Sequence, residues 1–262
     1  MGELEKGEQG RIVRAFGGDG LELDTGLSVF LAEIDAPRGD EAYAAQARAE
    51  LEALALHRQV RLGYGGSRRW IPRPREGEAE APRETAIAHV FVQSEGGRWF
   101  WLQHELVARG AALVRPRRDN HARSADLLAV ENIAREAELG LWAKREHRAL
   151  NPADAAIAAL AANVSCLRGE APYRLVEGRV GEALVLDRRA ALTFEGAPAD
   201  APFAIAIFGE SFSAWDGPAI RSFEGARIRV RGTLGVFREQ PQICVDHAAQ
   251  LEILTTAPGA AR

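Results

Sequence analysis

Two carboxylates in the stretch from Gly10 to Arg38, GRIVRAFGGDGLELDTGLSVFLAEIDAPR, have the type and placement to hold a hard divalent cation. Asp19 stands in a glycine-rich turn, and Asp35 comes directly before Ala36-Pro37. Calcium takes oxygen ligands, and two carboxylates brought together by neighbouring strand ends supply the charge it needs. Both positions also suit a plain turn residue, because Asp bonds its own backbone readily there.

A small sheet must position the pair. RIVRAF, LELD and LSVFLAEI alternate in polarity, with Gly17-Gly18-Asp19-Gly20 and Asp24-Thr25-Gly26 between them, which predicts three short strands joined by tight turns. From Asp40 to His57, the residues Ala44, Ala47, Leu51, Leu54 and Ala55 recur at helical spacing, so an amphipathic helix should pack on that sheet. Strands are expected at Gln59 to Gly63 and Ala86 to Val92, then a hairpin near Gly96-Gly97 and a short helix from Trp101 to Arg109, stopped by Gly110. After a strand at Ala111 to Val114, a long helix is expected from about His121 to Leu139, with Asp119 or Asn120 as its cap and Gly140 closing it.

The opening strand at Gly10, the Gly-Asp turn, the strand ending in I-D-A-P and the final helix running into Gly140-Leu141-Trp142 together resemble the staphylococcal nuclease, or thermonuclease, family. The resemblance covers roughly Gly10 to Trp142 and implies an OB-like barrel decorated with helices. It also implies a site in which two aspartates and a backbone carbonyl hold calcium, a glutamate activates water and two arginines grip the phosphate. Those groups answer the chemistry, since phosphodiester cleavage builds negative charge that cations must offset and its water needs a base.

Carried over residue by residue, the calcium ligands fall on Asp19, Asp35 and the carbonyl of Ala36. The first arginine falls on Phe30, the glutamate on Arg38 and the second arginine on Thr85. Gly17 and Gly20 replace the outer residues of the family's D-G-D-T turn. No catalytic residue of the family is therefore in place, and Asp19, Asp35 and Ala36 would be the remnant of a calcium site. Asp40 or Glu41 is a candidate substitute base, and Arg83 lies two residues before Thr85. Arg38 is a candidate tethered cation that pairs with Asp19 or Asp35 and leaves no cofactor required, calcium being the only one implied.

Composition bounds the remaining readings. The chain has 262 residues, 47% of them hydrophobic, enough for one large or two small domains. A formal charge of -4 excludes nucleic-acid binding through bulk positive charge. Lys6 and Lys144 are the only lysines; the arginines suit bidentate phosphate contacts, but a compositional bias of the genome is the better account of the pattern. Cys166 and Cys244 fit no metal spacing and are either a pair or free buried thiols. No apolar run is long enough to span a bilayer, and MGELEKGEQG is polar, so the chain as given reads as cytoplasmic, or as periplasmic or secreted if a leader was removed. The stretch GGSRRWIPRPREGEAEAPRET reads as a long exposed loop. Its Arg68, Arg69, Arg73 and Arg75 around Trp70 would suit a phosphate and a base, while Glu76, Glu78 and Glu80 oppose that.

Asn151 to Asn163 is alanine-rich behind an Asn-Pro start and predicts a connecting helix. From Tyr173, five strand-like runs with a helical excursion before the fourth fit an OB-type barrel, which binds single strands along a basic aromatic groove. Phe194, Phe203, Phe208 and Phe237 are candidates to stack bases, and Arg227, Arg229 and Arg231 alternate so as to share one exposed face. The same residues also suit a filled core and a solvated outer face. The expected architecture is mainly β with helices (α+β), two OB-type barrels in series, the first decorated with three helices. Its parts are a tail at 1–9, a thermonuclease-like barrel at 10–148, a linker at 149–170, an OB-like barrel at 171–256 and a tail at 257–262. The expected function is a catalytically degenerate binding or scaffold module for a protein partner or single-stranded nucleic acid. The alternative is a calcium-dependent endonuclease with rearranged catalytic groups.

Overall fold

The computed structural model describes residues 4–39, 41–67, 69–72, 84–154, 157, 160–161, 165–166, 172–196, 203–213, 215, 217–237 and 240–254, and the chain divides into two units, Met1–Glu146 and His147–Arg262. In the first unit β1 (Glu5–Ala15), β2 (Gly20–Leu23) and β3 (Ser28–Leu31) form an antiparallel meander. Then come β4 (Ile34–Asp35), α1 (Ala44–Ala55), β5 (Gln59–Tyr64), β6 (Trp70–Pro72), β7 (Glu84–Gln93), β8 (Trp99–Trp101), α2 (Leu102–Ala108), β9 (Leu113–Val114) and α3 (Ser124–Glu136). The order β1-β2-β3-β7-β5 closes on itself, with β3 and β7 parallel and every other pair antiparallel. Alternate residues fill the barrel, among them Ile12, Leu21, Val29, Leu62 and Val90, and α1 covers it with Ala47, Leu51 and Ala55. Each such burial of a large aliphatic chain contributes roughly 1.5–3 kcal/mol.

Several local expectations change. β1 starts at Glu5, inside the expected tail, because a bulge between Lys6 and Gln9 lets it keep pairing with β5 as far as Tyr64. LSVFLAEI is not one strand: Glu33 adopts a left-handed conformation (φ 64°), the chain turns, and Ile34–Asp35 pairs with β9 instead. Left-handed Tyr43 (φ 76°) and His57 (φ 64°) trim α1 at both ends. α3 begins at Ser124 because Arg117 and Asn120 bridge one another in a turn, and neither Asp119 nor Asn120 caps it. Trp70–Pro72 pairs with β7 where a loop was expected, and Arg68 with 73–83 lies outside the described residues.

The second unit holds β10 (Tyr173–Leu186), β11 (Arg189–Phe194), β12 (Ala204–Phe208), α4 (Gly209–Ser213), α5 (Gly217–Arg221), β13 (Arg227–Phe237), β14 (Gln240–Cys244) and β15 (Leu251–Ile253). The order β10-β11-β12-β14-β13 closes through β10 and β13, with β12 and β14 parallel, and β15 adds to β13. Each unit thus runs its five barrel strands in one order, with a helical excursion and a parallel third-to-fifth pair, the arrangement of an OB-type barrel. Of the expected connecting helix, 157, 160 and 161 are helical, and Ile157 is buried in the second core with Val176, Leu192, Phe203 and Ile228. Cys166 and Cys244 form a disulfide. Among the described residues no helix is long and apolar enough to cross a membrane.

Candidate functional site

The β1–β2 turn, the β3–β4 turn and the segment after β9 surround a cleft of about 220 Å³ in the first unit. Gly18 seats the first turn: a Cβ there would lie 2.7 Å from the Ala36 Cβ and 2.8 Å from that of Ala47, so only glycine lets the turn lie on α1. The turn buries Asp19, whose Oδ2 accepts a hydrogen bond from the Ala36 N–H at 3.3 Å. Asp35, at the end of β4, lines the same cleft. The fold therefore does bring the two aspartates together.

What lies between them is Arg38. Its Nη2 is 2.5 Å from Asp19 Oδ2 and 3.3 Å from Asp35 Oδ1, while Arg115 Nη1 donates to Asp35 Oδ2 at 2.7 Å. The side chains alternate in sign as Asp19, Arg38, Asp35 and Arg115. Phe30 backs this row, with its ring 5.8 Å from the Arg38 guanidinium carbon and edge-on to Phe16 at 5.5 Å. Thr85 is buried in β7. Burial pushes the Asp19 carboxyl above the usual carboxylate range, and Arg38 and the Ala36 N–H pull it only partly back. Burial works against the Arg38 charge, but Asp19 and Asp35 outweigh it and raise that group.

These residues fit calcium poorly. Among the described residues Asp19 Oδ1, which is buried, has no hydrogen-bond partner. Yet Ca²⁺ needs about six to eight oxygens, and a guanidinium already stands against both carboxylates. Among the described residues no group of three or more His, Cys, Asp or Glu is placed to hold a metal.

A second buried polar cluster braces the cleft from behind. Glu33 accepts from the Arg123 N–H at 3.0 Å and the Ser124 hydroxyl at 2.7 Å, and it meets His89 Nε2 at 3.2 Å. It thereby satisfies the start of α3 from 90 residues away and ties that helix to the β3–β4 turn. Burial disfavours the Glu33 charge, but His89, the Arg123 N–H and Ser124 outweigh it and hold the carboxyl below its ordinary value. Glu33, Arg115 and Arg117 were missed in the sequence; the run Arg115-Pro116-Arg117-Arg118 after β9 was the available signal.

The nucleic-acid candidates fare unevenly. Arg69 forks onto both oxygens of Glu5, and Trp70 packs on Tyr64 at 6.0 Å, so neither forms a loop platform; Arg68 and Arg73 lie outside the described residues. Arg227, Arg229 and Arg231 do not form an exposed basic stripe. Glu177 on β10 and Glu252 on β15 flank them: Arg229 meets both at 2.8 and 3.7 Å, Arg231 is fully buried and meets Glu252 at 2.6 Å, and Arg227 faces Glu177 at 4.0 Å. Phe194 and Phe203 stack within the core at 5.7 Å. Phe208 and Phe237 remain at the surface, 5.6 Å apart, beside Leu186, Arg188 and Arg189.

Residues 28–144 match the family model described as staphylococcal nuclease homologue, a span that holds Asp35, Arg38 and Arg115 and starts after the turn bearing Asp19. No curated protein matches the chain.

Proposed function

We propose, for a chain whose first unit is a staphylococcal nuclease-like domain of OB type, that this domain is a non-hydrolytic binding or scaffold module. The observation that carries the reading is the position of Arg38 between Asp19 and Asp35. A guanidinium there offsets the repulsion of the two carboxylates, as a metal would, but it has no exchangeable position for water or a phosphoryl oxygen. Phe30 offers an apolar ring where the resemblance implies a phosphate-gripping arginine, and the buried Thr85 stands where it implies the other. Arg38 and Arg115 are engaged by the cleft's own carboxylates, which favours a protein partner over a nucleic-acid phosphate as the ligand of this cleft.

The competing reading is a calcium-dependent endonuclease with rearranged groups, and the partnerless Asp19 Oδ1 favours it. Cleavage of labelled single-stranded DNA and RNA, with calcium or with chelator, separates the two. The module cleaves neither strand above background in either condition. Cleavage that needs calcium and disappears in Asp19→Ala would establish the endonuclease.

A further inference from the structure

We propose that a second cleft of the first unit, on the outer face of β1, β5, β7 and β8, is a seat for one nucleotide unit: a flat base together with its phosphate. The cleft encloses about 540 Å³ and shares no lining residue with the cleft of Asp19 and Arg38. That volume lies within the roughly 300–1,000 Å³ of sites that hold a small organic ligand.

The strand register builds it. Val60 and Leu62 point into the barrel, so Arg61 and Gly63 face outward, opposite Phe91 and His89 on β7 and Gln9 and Lys6 on β1. Gly63 is the floor: a Cβ there would already lie 3.1 Å from Leu4 and 3.4 Å from Phe91, so any larger residue would begin to fill the hollow. Lys6, paired with Gly63 and exposed, lines the cleft, and Phe91 and Trp99 form an aromatic wall.

The charges point to an anion. In this acidic chain Arg14, Arg48, Arg69 and Arg109 are all spent on carboxylates. Among the described residues neither Lys6 nor Arg61 has an ion-pair partner, and the cleft's own acid, Glu5, is neutralised by Arg69. Arg123 also lines the cleft, but its guanidinium is paired with Asp126 at 3.3 Å. The shape points to a ring. The Arg61 guanidinium carbon lies 4.0 Å from the centre of the Trp99 ring, a cation–π contact that holds a guanidinium plane beside the aromatic wall. Bases stack on such planes as well as on aromatic faces, and a plane held in advance loses little freedom on binding. Lys6 is then the point charge for the phosphate.

The seat takes a free nucleotide or one unit of a single strand, and hydrolysis elsewhere on the domain does not bear on it. The test titrates the full chain in chelator at low salt with fluorescein-labelled oligothymidylate and, separately, with adenosine monophosphate. Lys6 and Arg61 are exposed, so Lys6→Glu and Arg61→Ala should keep the wild-type melting curve while weakening binding about tenfold or more. Trp99→Leu should weaken it similarly, and Arg48→Ala, on the surface of α1 and in neither cleft, should leave it unchanged. Binding of both probes identifies a nucleotide site, and binding of the oligonucleotide alone identifies a strand site. The proposal falls if neither probe binds at millimolar concentration, or if the Lys6 and Trp99 variants bind as the wild type does. It also falls if polyglutamate of equal length binds as well as the oligonucleotide.

Discussion

Arg38 Nη2 sits 2.5 Å from Asp19 Oδ2 and gives the buried carboxylate a covalently tethered counter-ion. The pair is asymmetric, since the Arg38 side chain is 55% exposed and that of Asp19 4%. Desolvation therefore falls more heavily on Asp19 than on Arg38, and this asymmetry sets the first two predictions.

Asp19→Asn should leave melting at pH 7 unchanged or raise it, by about 1 kcal/mol at most, because Arg38 retains Asp35 and is not stranded. The sign follows from linkage: a carboxyl raised in the folded state contributes stability at low pH and loses it as pH rises through the folded value. Wild type should accordingly lose ground to the variant as pH rises from the ordinary value of 3.8 towards neutrality. Parallel melting curves across that range would show that burial does not dominate this group.

Arg38→Ala removes the tethered cation and leaves Asp19 facing Asp35, which keeps its ion pair with Arg115. Melting should fall in chelator and recover as calcium is added, since a ligand that binds only the folded state stabilises it. Wild type should show no calcium dependence. Thermal shift with and without millimolar calcium reads both, and a calcium response in the wild type would contradict the competition proposed between metal and guanidinium.

Glu33→Gln should cost about 1.5–3 kcal/mol, the range for hydrogen bonds to charged groups, because the start of α3 loses its carboxylate partner. The Glu33 carboxyl is lowered in the folded state, so its contribution is present above the unfolded value of 4.5 and is lost as pH falls through the lower folded value. Urea unfolding at pH 7 and below pH 4 should show the gap between wild type and variant narrowing in acid.

Gly110→Ala should be far more damaging than Gly97→Ala, although both glycines have positive φ (65° and 79°). A Cβ on Gly110 would lie 2.2 Å from the Leu139 carbonyl oxygen, whereas one on Gly97 meets nothing within 4 Å. The hairpin change should cost about 1 kcal/mol, the backbone penalty alone. Denaturant midpoints of the two variants decide this, and equal losses would mean that the backbones after α2 and α3 separate freely.

Reduction of Cys166–Cys244, which span 78 residues, should destabilise the second unit by about 3–5 kcal/mol on the loop-entropy scale. Thiol titration of the unreduced unfolded chain should find no free cysteine, and reductant should lower the melting of that unit alone.

The parts of this molecule that were legible in the sequence are those whose cause is local. The apolar residues of RIVRAF and LELD and the glycine turn around Asp19 place β1 and β2 without reference to anything distant. The five strand-like runs after Tyr173, with their helical excursion, likewise suffice for the second barrel. What escaped is long-range. The partner of Asp35 comes from Arg115, 80 residues on, and the partner of the α3 start is Glu33. Arg231 looks exposed by alternation, but β15 lies along β13 and brings Glu252 to it. No window of a dozen residues contains both members of any of these pairs.

The parallel pair that closes each barrel has a consequence for synthesis. Ser28–Leu31 waits for Thr85–Ala88, and Ala204–Ala206 waits for Gln242–Cys244, so neither ring can seal until its fifth strand has left the ribosome. In the interval β3 or β12 presents an unpaired edge, the kind of surface that recruits a neighbouring chain. A nascent or truncated chain that stops short of Gln242 would carry that edge permanently, and aggregation during translation should depend on when each fifth strand emerges.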